Sequence, residues 1–432
     1  FEFNFLNNIK LLNYLLFYLL VLGLVLFEKF KENIDCVILE FTMWACMKRK
    51  INIMPKKQSK IKSDKIIFAP EQVDLKYSPL RQDIQEETYV LGAFNPGMTK
   101  LPNGNLLLMV RIAEALKNTS QTRVAKTIRK EQGQGYVVDK YPLEEISGDD
   151  PRKFCFKNCT SLNIFGLTSI SWLLPVEVST TDYTIEKIHY DKIIEPQAAY
   201  QEYGVEDARI TKIEDKYYMT TCSVSSQRHC TTLYSSQNGL EYYLEGIILD
   251  HQNKDMLLFP EKIEGSYYAM TRPLGDLYFQ TPQNSPYSAG PSINLATSPD
   301  LLHWKPLEKP FIRAPKNSLM SMKIGGGTPP LKTEKGWLTL YHGVEEKGKA
   351  GIYRTFKAIL AKKDPSKIHY LGTKPVLEAN PALTNYLKEK IYLTNIVFST
   401  GLLIQEDNFI VASGELDLCC RLTIMEKSCL LD

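Results

Sequence analysis

The chain has 432 residues, is 44% hydrophobic and 11% aromatic, and carries 52 Lys and Arg against 49 Asp and Glu, a net charge of +3. That is enough apolar sequence to bury one large core. The balanced charge, with no Lys/Arg run interleaved with aromatics, excludes a nucleic-acid groove. Nine cysteines without framework spacing exclude a disulfide scaffold, and no Cys/His cluster has zinc spacing, so no metal is expected. Cys155 and Cys159, the pair Cys419-Cys420, and isolated Cys222 and Cys230 read as thiols of a reducing compartment, which makes a cytoplasmic location the expectation.

The first 53 residues stand apart from the rest of the chain. Residues 11–27 (LLNYLLFYLLVLGLVLF) run 17 residues without a charge, just short of a comfortable membrane span and longer than a typical signal core. No small-residue cleavage site comes after them. Two readings compete: a membrane anchor, or an upstream-frame extension ahead of the Met54-Pro55-Lys56-Lys57 opening, the second favoured by the start at Phe1. The basic stretch after Met54, PKKQSKIKSDK, reads as a solvated tail.

From Met54 onward the rhythm is that of β-structure. Five times an apolar alternating stretch, a short polar turn and a second alternating stretch succeed one another. They span 98–111 (turn Asn103-Gly104), 208–222 (Glu214-Asp215), 258–272 (Glu264-Gly265), 330–342 (Glu334-Lys335-Gly336) and 397–413 (Glu406-Asp407). Segments 233–243 (LYSSQNGLEYY) and 294–304 (NLATSPDLLHW) each place a polar bend before an apolar residue and a ring, as outer strands would. Five units of about four strands each, with almost no long helical period, predict an all-β, five-bladed β-propeller over residues 54–432, with an insertion at about 112–200. That insertion would rim the cleft or build a homo-oligomer contact. A pair of β-sandwiches would show the same hairpins. The propeller is preferred because polar residues recur where hairpin strands begin or end, at Asn95, Arg111, Asp207, Arg272, His342 and Asp417, and radial blades would aim them at one pocket.

The stretch GVEDARIT, beginning at Gly204, sets the acid pair Glu206 and Asp207 at the start of a strand, with Arg209 two residues beyond Asp207 and so on the same strand side. A carboxylate so placed reads as a proton donor in a polar cleft, or as a solvated strand start. Glu206 should point to the opposite face. Tyr341 is a candidate for stacking on a sugar ring. Gly325-Gly326-Gly327 reads as a turn that lets a strand pass close to the axis, or else as an anion cradle; with no helix after it, it implies no nucleotide cofactor.

Six strings in order, GVEDARIT at Gly204, LLFPEKI at Leu257, TRP at Thr271, PSINLATSPDLLHW at Pro291, KIGGGTPP at Lys323 and GWLTLYHGV at Gly336, resemble glycoside hydrolase family 130. That family comprises β-mannoside phosphorylases and related β-mannosidases on a five-bladed propeller. The resemblance covers residues from about Ile66 to Ile424. It implies Asp207 as catalytic acid, Lys262, Arg272 and His342 as phosphate-facing residues, Arg111 and Arg209 near sugar or anion, and Asn95, Tyr341 and Asp417 as sugar contacts. The chain departs from the pattern at Thr271, where many members carry His before Arg-Pro, and in the drifted run Ser413-Gly414-Glu415-Leu416-Asp417.

An inverting hydrolase needs an acid and a base for water, whereas phosphorolysis needs an acid and a nest of cations to hold phosphate in line. Lys262, Arg272 and His342 would supply that nest. Each has a bland reading too: a surface pair with Glu261, a strand cap before Pro273, and a structural histidine. The expectation is a cofactor-independent β-mannoside phosphorylase taking inorganic phosphate as co-substrate, with an inverting β-mannosidase or a non-catalytic carbohydrate-binding propeller as alternatives.

Overall fold

The computed structural model describes residues 61–432 except 118–122, 149, 158–163, 275–280 and 349. The hydrophobic segment 11–27 and the boundary at residue 53 lie outside the described residues. Among those that are described, no helix is long and apolar enough to cross a membrane.

The fold is nearly all β. Thr88–Lys100, Leu106–Leu116, Ser169–Val178 and Ile185–Ile188 pair antiparallel in that order as a first group. Gly204–Ile213, Lys216–Val224, His229–Ser236 and Tyr243–Leu249 form a second, joined to the first by one parallel pairing of Gly204 with Ser171. Asn253–Leu258, Tyr267–Pro273, Asn294–Ser298 and Lys305–Pro306 form a third. In the fourth, Gly336–Glu345 is flanked by Lys323–Gly326 and Leu331–Thr333 on one edge, and by Ile352–Leu360 and Ile368–Leu371 on the other. The fifth contains Val397–Gln405, Asn408–Glu415 and Cys419–Glu426, and the first strand described, Ile61–Phe68, completes it by pairing with the last. No sheet among the described residues closes on itself.

Each expected hairpin falls in a different group. Residues 233–243 and 294–304 are not single outer strands: the first holds the end of a third strand and the second the whole of one, each with the bend into the fourth. The two bends share one device. Ser236 Oγ accepts from Gly239 N, and Asn238 Oδ1 from Leu240 N and Glu241 N; Ser298 Oγ accepts from Leu301 N, and Asp300 Oδ1 from Leu302 N and His303 N. Side chains thereby satisfy the amides that the turn frees.

The core explains why the inner strands read as continuous apolar runs. Successive residues point to opposite faces, and both faces are covered. Leu106, Leu108, Val110 and Ile112 pack with Ile410, Ala412 and Leu422 of the fifth group, while Leu107 and Met109 pack with Val205, Ile210 and Met219 of the second. Further clusters join second to third through Leu233 and Leu258, third to fourth through Met270 and Phe356, and fourth to fifth through Leu340 and Val411.

At the inner strands the ladder register slips between Phe94 and Gly97, between Glu206 and Arg209, and between Lys254 and Leu257. Each slip holds a residue in the left-handed region, Asn95 (φ 48°), Asp207 (φ 52°) and Asp255 (φ 55°). Asn and Asp tolerate this conformation better than other side chains, and such a bulge re-aims whatever it carries. Of the expected insertion, Ser169–Val178 and Ile185–Ile188 belong to the first group. The remainder contributes the hairpin Val124–Glu131 with Gly135–Pro142 and the small sheet Ile146–Ser147, Lys153–Phe156 and Phe165–Leu167.

Candidate active site

The three bulges open on one cleft of about 420 Å³. Asn95, Arg111, Asp207, Arg272 and Asp417 all line it, together with Arg152, Lys153, Glu206, Lys254, Asp255, Lys323, Tyr353, Tyr392 and Phe398. Six cations thus face four carboxylates, a positive excess suited to an anion.

Asp207 sits at the centre of a bonded set. Its Oδ1 accepts from Asn95 Nδ2 at 3.0 Å and from Arg111 Nη1 at 3.1 Å. Arg111 is fixed further by Ser171 Oγ at 3.0 Å and Glu206 Oε1 at 2.7 Å, and lies over the Phe94 ring. Lys254 Nζ donates to the other Glu206 oxygen at 2.9 Å. Burial pushes the Asp207 carboxyl upward, but Arg111, Lys254 and Arg209 outweigh it and hold the group well below the usual carboxylate range. Glu206 is lowered too, burial being outweighed by Arg111 and Lys254. Asp417 goes the other way: burial raises it despite Arg152 and Arg111.

Glu206 is a correction. Strict alternation assigns it the face opposite Asp207, yet it lines the same cleft, because the left-handed bulge at Asp207 interrupts the period of two.

A second cationic cluster lies around Arg272. Its Nε is 2.9 Å from Asp255 Oδ2, a contact that is an ion pair rather than a directed hydrogen bond, and its Nη1 is 3.2 Å from His342 Nε2. His342 is 1% exposed, packed on Phe398 and Tyr353, and does not line the cleft. Burial, then Arg272, Lys323 and Arg209, hold it neutral, far below the ordinary histidine range. Its link to the cleft is this contact with Arg272. Lys323 Nζ stands 5.2 Å from the Tyr353 ring centre on the cleft wall. The glycines just beyond it in the chain are there for close passage: a Cβ on Gly325 would stand 2.3 Å from His342 Cε1 and 2.7 Å from Arg272 Cδ, and one on Gly327 2.6 Å from the Leu340 carbonyl.

Besides His342, three expected residues do not line the cleft. Lys262 is exposed in the turn after Asn253–Leu258, over the Tyr267 ring, at the far end of its hairpin from Asp255 and Arg272. Tyr341 is fully buried, its hydroxyl donating to the Gly372 carbonyl at 2.7 Å and its ring stacked on Phe356; being next to His342 on a strand, it must face the other way, into the core. Arg209 is 1% exposed and beneath the cleft, donating to the carbonyls of Gly327, Asp207 and Ala208.

The polar and aromatic cleft residues not anticipated include Lys254, Asp255, Lys323, Arg152, Lys153, Tyr353, Phe398 and Tyr392. A signal for two of them exists: Lys254-Asp255 stands in its hairpin as Glu206-Asp207 does in the preceding one, and superposing the hairpins on Asp207 picks it out. Among the described residues no group of His, Cys, Asp and Glu is arranged to hold a metal ion.

An all-β scaffold on which four carboxylates and six cations converge, in a cleft large enough for a small sugar, fits the class of a carbohydrate-active enzyme. The family model described as β-1,4-mannooligosaccharide phosphorylase matches residues 175–432. The chain belongs to glycoside hydrolase family 130. It is 30% identical over 344 residues to a β-1,2-mannobiose phosphorylase of Listeria innocua, covering 77% of this chain and 88% of that protein. It is 32% identical over 260 residues to a 1,2-β-oligomannan phosphorylase of Thermoanaerobacter sp., covering 58% and 79%. The solved structure of β-1,2-mannobiose phosphorylase from Listeria innocua with β-1,2-mannobiose matches with a TM-score of 0.70 at 27% identity, over 84% of this chain and 96% of that one.

Proposed function

We propose that the protein is a β-mannoside phosphorylase: an oxygen of inorganic phosphate attacks the anomeric carbon of a terminal β-mannosyl unit, the glycosidic C–O bond breaks, and Asp207 supplies the proton that the departing oxygen takes up, directly or through a substrate hydroxyl. Arg272 and Lys323 hold the phosphate, with His342 behind Arg272. Asn95, Arg111 and Asp417 hold the sugar. Inversion of a β-linkage gives α-mannose 1-phosphate.

One observation carries phosphorolysis over hydrolysis, which is how the cleft carboxylates are engaged. Glu206 is bound by both Arg111 and Lys254, Asp255 is paired with Arg209 and Arg272, and Asp417 is held by Arg152. Activating a water molecule calls for a carboxylate with free basicity; Glu206 and Asp255 are each committed to two cations, and Asp417, though raised by burial, stays paired with Arg152. A nucleophile that arrives already ionised suits such a cleft. The named relatives, all phosphorylases of β-linked mannosides, support the same reading.

We also read the five strand groups as blades of a five-bladed propeller. In its support, each group buries both faces against its neighbours, the fifth packs on the first, and the first strand described completes the last group. Buried thiols at Cys222, Cys230, Cys419 and Cys420 support a reducing, cytoplasmic setting.

The test is to incubate the protein with β-1,2-mannobiose with and without phosphate. Mannose 1-phosphate formed only with phosphate supports the proposal; mannose released equally fast without it transfers the case to the hydrolase.

A further inference from the structure

The insertion between the second and third strands of the first group is not a passive rim. From it Arg152 and Lys153 reach the cleft wall. Arg152 is clasped side-on by Asp150, Nε to Oδ1 at 2.9 Å and Nη2 to Oδ2 at 2.8 Å, a two-point grip that fixes the guanidinium plane. Its remaining nitrogen, Nη1, points at Asp417 Oδ2 at 3.4 Å, and its guanidinium carbon lies 6.0 Å from the Tyr392 ring centre. Tyr392 in turn donates to the Asp417 carbonyl at 2.8 Å. Asp417 itself sits in the left-handed region (φ 52°), in the short link between Asn408–Glu415 and Cys419–Glu426, a position with little structure of its own to fix its side chain. A carboxylate there needs an outside partner to keep one orientation.

We propose that Arg152 is the positioning residue for Asp417, so that the insertion sets the affinity for the terminal sugar and leaves phosphate affinity to the Arg272 and Lys323 end of the cleft. The inference rests on the reading of the cleft as a mannoside site. Its physical content is a separation of labour. Arg152 touches Asp417, on the side where Asn95 and Asp207 converge, and makes no contact with Arg272 or His342. Losing it frees Asp417 to rotate and removes the cation in contact with its part-buried carboxylate.

The experiment is calorimetric binding in an Asp207→Asn background, where turnover does not interfere, using β-1,2-mannobiose and, separately, inorganic phosphate. Arg152→Ala should weaken mannobiose binding about five- to tenfold, the lower range for a partly exposed charge-assisted contact, with phosphate affinity unchanged within about twofold. Arg152→Lys should recover part of the loss. Asp150→Asn, which loosens the grip without removing the arginine, should show a smaller loss of the same kind and keeps the test decisive if Arg152→Ala misfolds. Adding Arg152→Ala to Asp417→Asn should cost nothing further. An unchanged mannobiose affinity, a parallel loss of phosphate affinity, fully additive effects with Asp417→Asn, or no mannobiose binding with Arg152 intact would each overturn the inference. Failure of the phosphorylase reading shows separately, as wild-type protein that makes no mannose 1-phosphate.

Discussion

Asp207 is ionised in the free cleft, since Arg111, Lys254 and Arg209 outweigh the burial that would protonate it. To serve as an acid it must gain a proton as substrates load, and phosphate is suited to drive this: an anion beside those cations offsets the field that depresses the carboxyl. Asp207→Asn keeps shape and tolerates the left-handed backbone but has no proton to transfer, so steady-state turnover should fall by roughly 10² to 10⁴. Arg272→Ala should instead raise the apparent KM for phosphate about ten- to a hundredfold, with mannoside KM nearly unchanged. Equal damage to both constants would show that Arg272 serves the sugar or the fold. At this scale the sequence was readable in bringing Asp207, Arg111 and Arg272 to one cleft. It misled where only three-dimensional register decides. Lys254 and Lys262 stand near opposite ends of one hairpin arm and are equally plausible cations on paper, but only the first is at the cleft end. Tyr341 could have been set aside on alternation alone once its neighbour His342 was directed toward the site.

At the scale of elements, the bulges build the site. A regular strand would present alternate side chains to opposite faces; a left-handed Asn95, Asp207 or Asp255 breaks the alternation and delivers two consecutive side chains, such as Glu206 with Asp207, to one cleft. Hairpins are legible in sequence because turn chemistry and period announce them. Bulges are not, because one extra residue in a strand leaves the composition unchanged. Close passage of Lys323–Gly326 is the other element-level device. Gly325→Ala should push His342 and Arg272 apart, since the added methyl would stand 2.3 Å from the imidazole and 2.7 Å from Arg272 Cδ. We expect a stability loss of about 1–3 kcal/mol in denaturant titration and a raised phosphate KM, the second being the signature of the site. A variant with normal phosphate KM would mean that Arg272 is not held in place by this contact.

At the scale of the whole molecule, the first and last strands of the described residues hold each other. Asp64 on Ile61–Phe68 accepts from Arg421 Nε at 2.7 Å and Nη2 at 2.8 Å, and from Thr423 Oγ1 at 2.9 Å, while Arg421 Nη1 reaches Glu415 at 3.0 Å. Asp64→Ala removes the two-point contact to Arg421, 3% exposed, which keeps Glu415 as counter-ion, and should lower stability by about 1.5–3 kcal/mol, read as a fall in Tm. Dependence on pH arises from the buried histidine. The pKa of His342 lies well below its ordinary 6.5 in the fold, so below that pH the unfolded chain takes up a proton that the folded one refuses. Stability should therefore fall on acidification, by about 1.4 kcal/mol per pH unit for one such group. His229 and His251, also lowered by burial, add in the same direction. Glu206 and Asp207 add further loss in the carboxylate range, and the raised Asp417 and Glu415 partly offset it. Tm should be lower near pH 5.5 than near pH 7.5, and His342→Asn should flatten that slope. A slope unchanged in the variant would assign it to other groups.

The most direct measurement is an NMR time course of the protein with β-1,2-mannobiose and inorganic phosphate, recording the first sugar product and its anomeric configuration. An acid at Asp207 and phosphate held in line behind the anomeric carbon predict α-mannose 1-phosphate from the earliest points, with no lag and no free mannose beyond the departing unit. Two mannose molecules per bond broken, or a β-configured phosphate, would contradict it.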